Sequence, residues 1–173
     1  MNDEVILQTE RLVLIAWRAD QIDDVVAIHA NPQVARFYAV DGRPWSMEKC
    51  ENRLNSWMRE YETLRLGKHR IVRKSDGALL GRAGFSIHSL TDEPELGYAL
   101  LPQFWGQGYA TEIAASLRDW IFRETEWNRF LGFAHEDNTA SLAVLERIGM
   151  TPTHEGVVAD MPCKFYAYDR PAA

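Results

Sequence analysis

The stretch Gln103-Phe104-Trp105-Gly106-Gln107-Gly108-Tyr109-Ala110-Thr111 limits the folds open to this chain more than any other, because it joins a strand-like run to a helix-like one. Upstream, Leu96, Tyr98 and Leu100 share one face of a predicted strand, and Glu95, Gly97, Ala99 and Leu101 share the other, since strand side chains alternate with period two. Pro102 ends that strand. Downstream, Ile113, Leu117, Trp120 and Ile121 recur at helical spacing from Tyr109 to Phe122. A helix start leaves N–H groups unpaired and carries roughly half a positive charge, so a phosphate can bind there where glycines let the backbone come close. Two glycines would equally serve a tight turn, and the pattern alone is weak; the position between strand and helix is what points to a phosphate. Two common phosphate loops fit poorly. The nucleoside-triphosphate loop needs Lys and then Ser or Thr after its last glycine, whereas Gly108 is followed by Tyr109-Ala110. The dinucleotide fingerprint needs Gly or Ala where Thr111 stands, and an early βαβ unit.

The other elements set that turn in context. Arg11 to Ile15 reads as a strand, and Asp20 precedes Ile22, Val25, Val26 and Ile28 at helical spacing, with an end near Asn31-Pro32. Ser46 is positioned to cap a helix carrying Leu54, Trp57, Met58 and Tyr61 on one stripe. Core packing and the lining of a pocket explain that stripe equally well. From Lys68 the period changes: HRIVRK, the turn Ser75-Asp76-Gly77 and LLGRAGFSI read as a hairpin. Phe130 to Ala134 reads as a buried strand. Asn138 caps a last helix with Leu142, Leu145 and Ile148 as its stripe and Gly149 as its left-handed exit; KFYAY suggests a final strand. No linker divides the chain, so one domain over residues 1–173 with an α/β or α+β sheet is expected.

Composition excludes several classes. A hydrophobic fraction of 46% suits one sizeable core. Cys50 and Cys163 sit in unrelated settings without partners at ligand spacing, so neither a disulfide framework nor a metal site is predicted, and a reducing cytoplasm fits best. The start MNDEVILQTERL has no signal-peptide pattern, and no later run is long enough to cross a bilayer. A formal charge of -6 argues against nucleic-acid binding, and favours a cationic partner such as an amine.

Gln103, Gly106 and Gly108 satisfy the signature of the GCN5-related N-acetyltransferase (GNAT) superfamily: Gln or Arg, two residues, Gly, one residue, then Gly or Ala. TERLVL at Thr9 to Leu14, GYALLPQFWGQGYATE at Gly97 to Glu112, and the stretch from Asn138 to Met150 more specifically resemble the branch holding the ribosomal-protein N-terminal acetyltransferases. The resemblance spans most of the chain. It implies a mixed, mostly antiparallel central sheet flanked by helices, in which the strand Glu95 to Leu101 splays from the strand Phe130 to Ala134 and the pantetheine of acetyl-CoA inserts between them. Backbone groups of Ala99 and Leu101 would then pair with pantetheine, and the amides around Gly106, Gln107, Gly108, Tyr109 and Ala110 would hold the pyrophosphate. The Asn138 side chain would touch the pantetheine arm. The resemblance also implies an amine acceptor, either a protein N-terminus or a small molecule, and is compatible with a homodimer.

Acetyl transfer needs a neutral amine, a stabilised oxyanion and a proton for the departing thiolate. By family position, Glu95 is the expected base, acting through a water, and the Ala99 N–H the oxyanion donor. Ser141 resembles the proton donor to the thiolate. Each side chain also has a plainer reading: Glu95 as a solvated strand residue beside Asp92 and Glu93, and Ser141 as a first-turn helix serine. His135 is left outside this set, and Trp105 is placed either to cover the cofactor or to pack beneath the loop, with packing the expected role. A non-catalytic acyl-CoA sensor is the alternative function.

Overall fold

The computed structural model describes residues 3–38 and 41–172; Met1, Asn2, Ala39, Val40 and Ala173, which the one-domain expectation also covers, lie outside them. Strands β1 (Val5–Gln8) and β2 (Leu12–Ile15) lead into helices α1 (Ile22–His29), α2 (Pro32–Ala35) and α3 (Met47–Leu64). Strands β3 (Gly67–Arg73), β4 (Leu79–Ile87) and β5 (Pro94–Leu100) follow, then α4 (Tyr109–Glu124), β6 (Arg129–His135), α5 (Thr139–Arg147), β7 (Thr151–Val158) and β8 (Met161–Asp169). Capping drives the helix starts as expected for α3, where the Ser46 hydroxyl accepts from the Lys49 amide, and for α5, where Asn138 accepts from the Ser141 amide. The first helix ends at His29, just before Asn31-Pro32 as expected, and the same pair also opens a further helix. Asn31 caps α2, with Pro32 at a position where no intrahelical donor is needed.

The strands form one sheet in the order β1-β2-β3-β4-β5-β6-β8-β7. The β5–β6 pair is parallel and all other neighbours are antiparallel. The mixed, mostly antiparallel sheet is therefore as expected. Helices α4 and α5 pack on one face, where Leu96, Leu100, Phe85, Phe130, Ile113, Leu117 and Leu145 join one core. Helices α1 and α3 pack on the other, over Val25, Ile28, Leu54, Trp57 and Ala99. The two clusters take alternate residues of β5, which is the predicted alternation realised as two cores. Strands β1 and β7 add to the expected set; nearly all of β7 is exposed, so it carries no apolar alternation to detect.

The feature that makes room for a ligand is the β5–β6 pair. Its pairing is confined to Glu95 opposite Leu131 and Leu96 opposite Gly132, so the strands part beyond Leu96. No helix among the described residues is long and apolar enough to cross a membrane.

Candidate functional site

The opening between β5 and β6 is bounded at one end by the glycine turn. Gly108 is the residue before the first turn of α4 and has φ 80°, and Gly106 has φ 71°; both are left-handed values that a side chain strains to adopt. A Cβ on Gly106 would meet nothing within 4 Å, so that glycine faces open space. The turn is braced from a distance of about a hundred residues in sequence. Arg11 donates from Nη1 to the Gln107 carbonyl (3.0 Å) and from Nε to Glu112 (2.6 Å), while its amide and the Thr9 hydroxyl also donate to Glu112 (2.9 and 2.5 Å). Burial alone would raise the Glu112 carboxyl, but the Thr9 and Arg11 hydrogen bonds outweigh it and hold it below its ordinary value. TERL and ATE, separate motifs in the sequence, are thus two halves of one brace.

The ladder phase of β5 decides which backbone groups face the opening. The Leu101 amide donates to the Leu80 carbonyl at 2.8 Å, and an unbroken register runs from Gly81–Leu100 to Ile87–Pro94. Hydrogen-bonded pairs alternate in an antiparallel ladder, so Ala99, opposite Arg82, also turns its backbone groups to β4. This corrects the expectation that Ala99 and Leu101 pair with pantetheine and that the Ala99 N–H meets an oxyanion. Tyr98 and Leu100 present the outward-facing groups: the Tyr98 carbonyl accepts from the Tyr38 hydroxyl (2.7 Å) and the Leu100 carbonyl from the Trp105 indole (2.7 Å). Trp105, expected beneath the loop, is 45% exposed and lines the cavity.

Two cavities meet along this opening. The first, about 550 Å³, is lined by the glycine turn, the start of α4, Tyr98, Ala99, Leu100 and the first turns of α5. Gly106, Gly108, Tyr109, Ala110, Asn138 and Ser141 all lie on it, whereas Leu101, Gln103 and Gln107 do not. Gln103 is exposed and its carbonyl accepts from the Gln107 side chain at 3.0 Å, so it shapes the turn. The second cavity, about 530 Å³, lies over the face of β5 that carries Glu95 and Gly97. Phe37, Tyr38, Tyr98, Asn138 and Ser141 line both. At this junction the Tyr98 hydroxyl donates to the Ser141 carbonyl (3.3 Å), and burial raises the Tyr98 hydroxyl above its ordinary value. Asn138 spends its side-chain oxygen on the Ser141 amide, which leaves its amide nitrogen for a ligand.

The second cavity is ionic. Lys68 and Glu95 pair at 3.2 Å with side chains only 11% and 14% exposed, which removes the reading of Glu95 as a solvated residue. Lys68 on β3 stands in line with Gly84 on β4 and Gly97 on β5, so no side chain blocks its path across the sheet to Glu95. A Cβ on Gly97 would lie 2.5 Å from the Lys68 ammonium. Burial lowers the Lys68 pKa, with Glu95 opposing. Arg82, 2% exposed, donates from Nε to His29 Nε2 at 3.1 Å. Burial first, then the Arg82 charge, pushes His29 far below its ordinary value, so it is a neutral acceptor stacked on Trp45. Glu60 accepts from the Ser86 hydroxyl, and burial raises its carboxyl. Of the α3 stripe, Trp57 lines this cavity, Met58 packs in the core and Tyr61 turns to Glu4. His135 also lines it, its Nδ1 accepting from the Asp137 amide at 3.1 Å.

No sequence pattern singles out Arg11, Tyr38, Lys68 or Arg82. Each acts through a partner 27 or more positions away, and no local spacing signals such a contact.

The chain has relatives of known sequence and neighbours of the same fold among solved structures. The chain is 27% identical to an uncharacterized N-acetyltransferase, YoaA, of Bacillus subtilis, over 88% of this chain and 85% of that protein. It superposes on an acetyltransferase from Agrobacterium tumefaciens with a TM-score of 0.82 at 26% identity, covering 98% and 95% of the two chains. The fold is also that of RimL, a ribosomal L7/L12 α-N-protein acetyltransferase solved with coenzyme A, at a TM-score of 0.79 and 19% identity over 96% and 98% of the chains. Residues 11–151 match the acetyltransferase (GNAT) domain model, and the chain belongs to that family.

Proposed function

We propose that this GNAT enzyme transfers the acetyl group of acetyl-CoA to a primary amine by direct attack within a ternary complex. The observation that carries the proposal is the meeting of two cavities of unlike character at Tyr98, Asn138 and Ser141. One is walled by a helix start and glycines suited to a pyrophosphate, the other by buried ionic side chains suited to a polar acceptor.

In this reading the amides at Gly106 to Ala110 hold the pyrophosphate, and pantetheine lies in the opening against Tyr98 and Leu100, displacing the Tyr38 and Trp105 donors from their carbonyls. The Asn138 amide nitrogen reaches the pantetheine arm. The thioester then lies at the junction, with the Tyr98 N–H, which replaces that of Ala99, directed at its developing oxyanion. The amine enters from the Glu95 cavity and loses its proton to Glu95 through a water. It attacks the carbonyl carbon, the C–S bond breaks, and the second proton of the attacking nitrogen passes through the Ser141 hydroxyl to the thiolate, so that the hydroxyl is restored.

Calorimetric titration with acetyl-CoA, coenzyme A, NAD and ATP, followed by thiol release against a panel of amines and Ala- or Ser-starting peptides, tests this. Binding confined to the coenzyme A compounds, with acceptor-dependent thiol release, is the expected outcome. Binding without release from any acceptor would favour the non-catalytic sensor, and absence of binding would overturn both.

A further inference from the structure

The charge of the acceptor cavity is opposite to that of the chain. Lys49, Arg53, Lys68 and Arg82 line it against two carboxylates, Glu60 and Glu95, whereas the whole sequence carries a formal charge of -6. The charge of Glu95 is balanced by Lys68, and Glu60 accepts from Ser86. Among the described residues Arg82 has no carboxylate partner; its Nη1 is buried without any hydrogen-bond partner, and its guanidinium sits 5.3 and 5.2 Å from the Tyr38 and Trp57 ring centres. Lys49 and Arg53, one turn apart on α3, likewise have no carboxylate partner among those residues, and Lys49 instead stacks over Trp45 at 4.9 Å. A site for a simple cationic amine would be built with the opposite sign, because like charges this close repel in a partly desolvated cavity.

We infer that the acceptor is a small amine that carries its own oxyanion, a carboxylate or a phosphate. The oxyanion is taken by the cations of α3 and β4, and the amino group lies towards Glu95 and the Tyr98–Ser141 junction. The cavity of about 530 Å³ has the size of a small-molecule site. This rests on the transferase reading and specifies the acceptor within it.

Thiol release is measured for matched pairs: alanine against alaninamide, and phosphoethanolamine against ethanolamine, with spermidine as a cationic comparison. The anionic member of at least one pair is expected to have about tenfold higher kcat/KM, as an added charged hydrogen bond provides. The better pair distinguishes carboxylate from phosphate. In the double variant Lys49→Glu, Arg53→Glu, on exposed or half-exposed helix positions, KM for the anionic member is expected to rise about tenfold more than for the neutral one, with acetyl-CoA affinity unchanged. Equal or better use of the neutral amines or of spermidine would overturn the inference, as would an Ala-starting peptide outcompeting every small amine. A binding measurement separates this from failure of the transferase reading. Coenzyme A-loaded protein is titrated with N-acetylalanine and phosphoethanolamine, and with N-acetylalaninamide and ethanolamine as their neutral counterparts. Tighter binding of an anionic member, lost in the charge-reversed variant, would uphold the inference even without turnover. Indifference to charge in both pairs would reject it.

Discussion

Among the described residues Lys68 has one carboxylate within ion-pair distance, and it belongs to the residue expected to act as base. The pair therefore has two jobs, and a single substitution disturbs both. Glu95→Gln is expected to lower kcat about 100-fold by removing the proton acceptor, with little change in acetyl-CoA affinity. It should also cost about 3 kcal/mol of stability by leaving a buried ammonium unpaired. The double variant Glu95→Gln, Lys68→Met separates the effects: denaturant midpoints should recover while turnover stays low. Recovery of turnover together with stability would make Glu95 a structural partner of Lys68 and no base. Strand alternation made Glu95 legible, since it lies on the opposite face of β5 from Leu96 and Tyr98. Lys68 was illegible as its partner because the contact exists only through the register that aligns Lys68, Gly84 and Gly97 across three strands.

At the scale of elements, the start of α4 is held in place by the segment that opens β2. Arg11 ties the Gln107 carbonyl to the Glu112 carboxylate, so the amides that would meet a pyrophosphate are oriented before any ligand arrives. Removing the brace should then weaken cofactor binding without touching the acceptor cavity. Arg11→Ala is expected to raise the acetyl-CoA Kd about tenfold, the cost of one charged hydrogen bond, with acceptor KM at saturating acetyl-CoA unchanged. Calorimetry and steady-state kinetics read the two separately; an unchanged Kd would mean that the turn is rigid through its own glycines. The elements themselves were legible where periodicity and caps agree, as in α3, β4 and α5. They were not legible where burial is absent or an element is too short to show a period: no residue of β7 is buried, and the four-residue α2 follows directly on the stop at Asn31-Pro32.

The whole molecule is organised around a sheet that comes apart in its middle. Among the described residues β5 and β6 pair over the shortest stretch of any neighbouring strands, and the two halves of the sheet are joined there by Glu95–Leu131 and Leu96–Gly132. Family resemblance predicts the gap, but the backbone groups on its edge depend on the phase of the β4–β5 ladder, which one hydrogen bond from Leu101 to Leu80 reveals and no sequence pattern encodes. That phase makes a prediction for amide hydrogen exchange. In the free protein the Ala99 and Leu101 amides, turned to β4, should exchange slowly, and those of Tyr98 and Leu100 faster. At a hundredfold excess of acetyl-CoA over its Kd, overall stabilisation of about 2.7 kcal/mol slows every amide that exchanges by global unfolding. Tyr98 and Leu100 should gain protection beyond that shared amount, because a ligand strand would complete their side of β5. If the added protection fell on Ala99 and Leu101 instead, the bound ligand would have shifted the register of β5, and the edge facing the opening would be mobile by one residue.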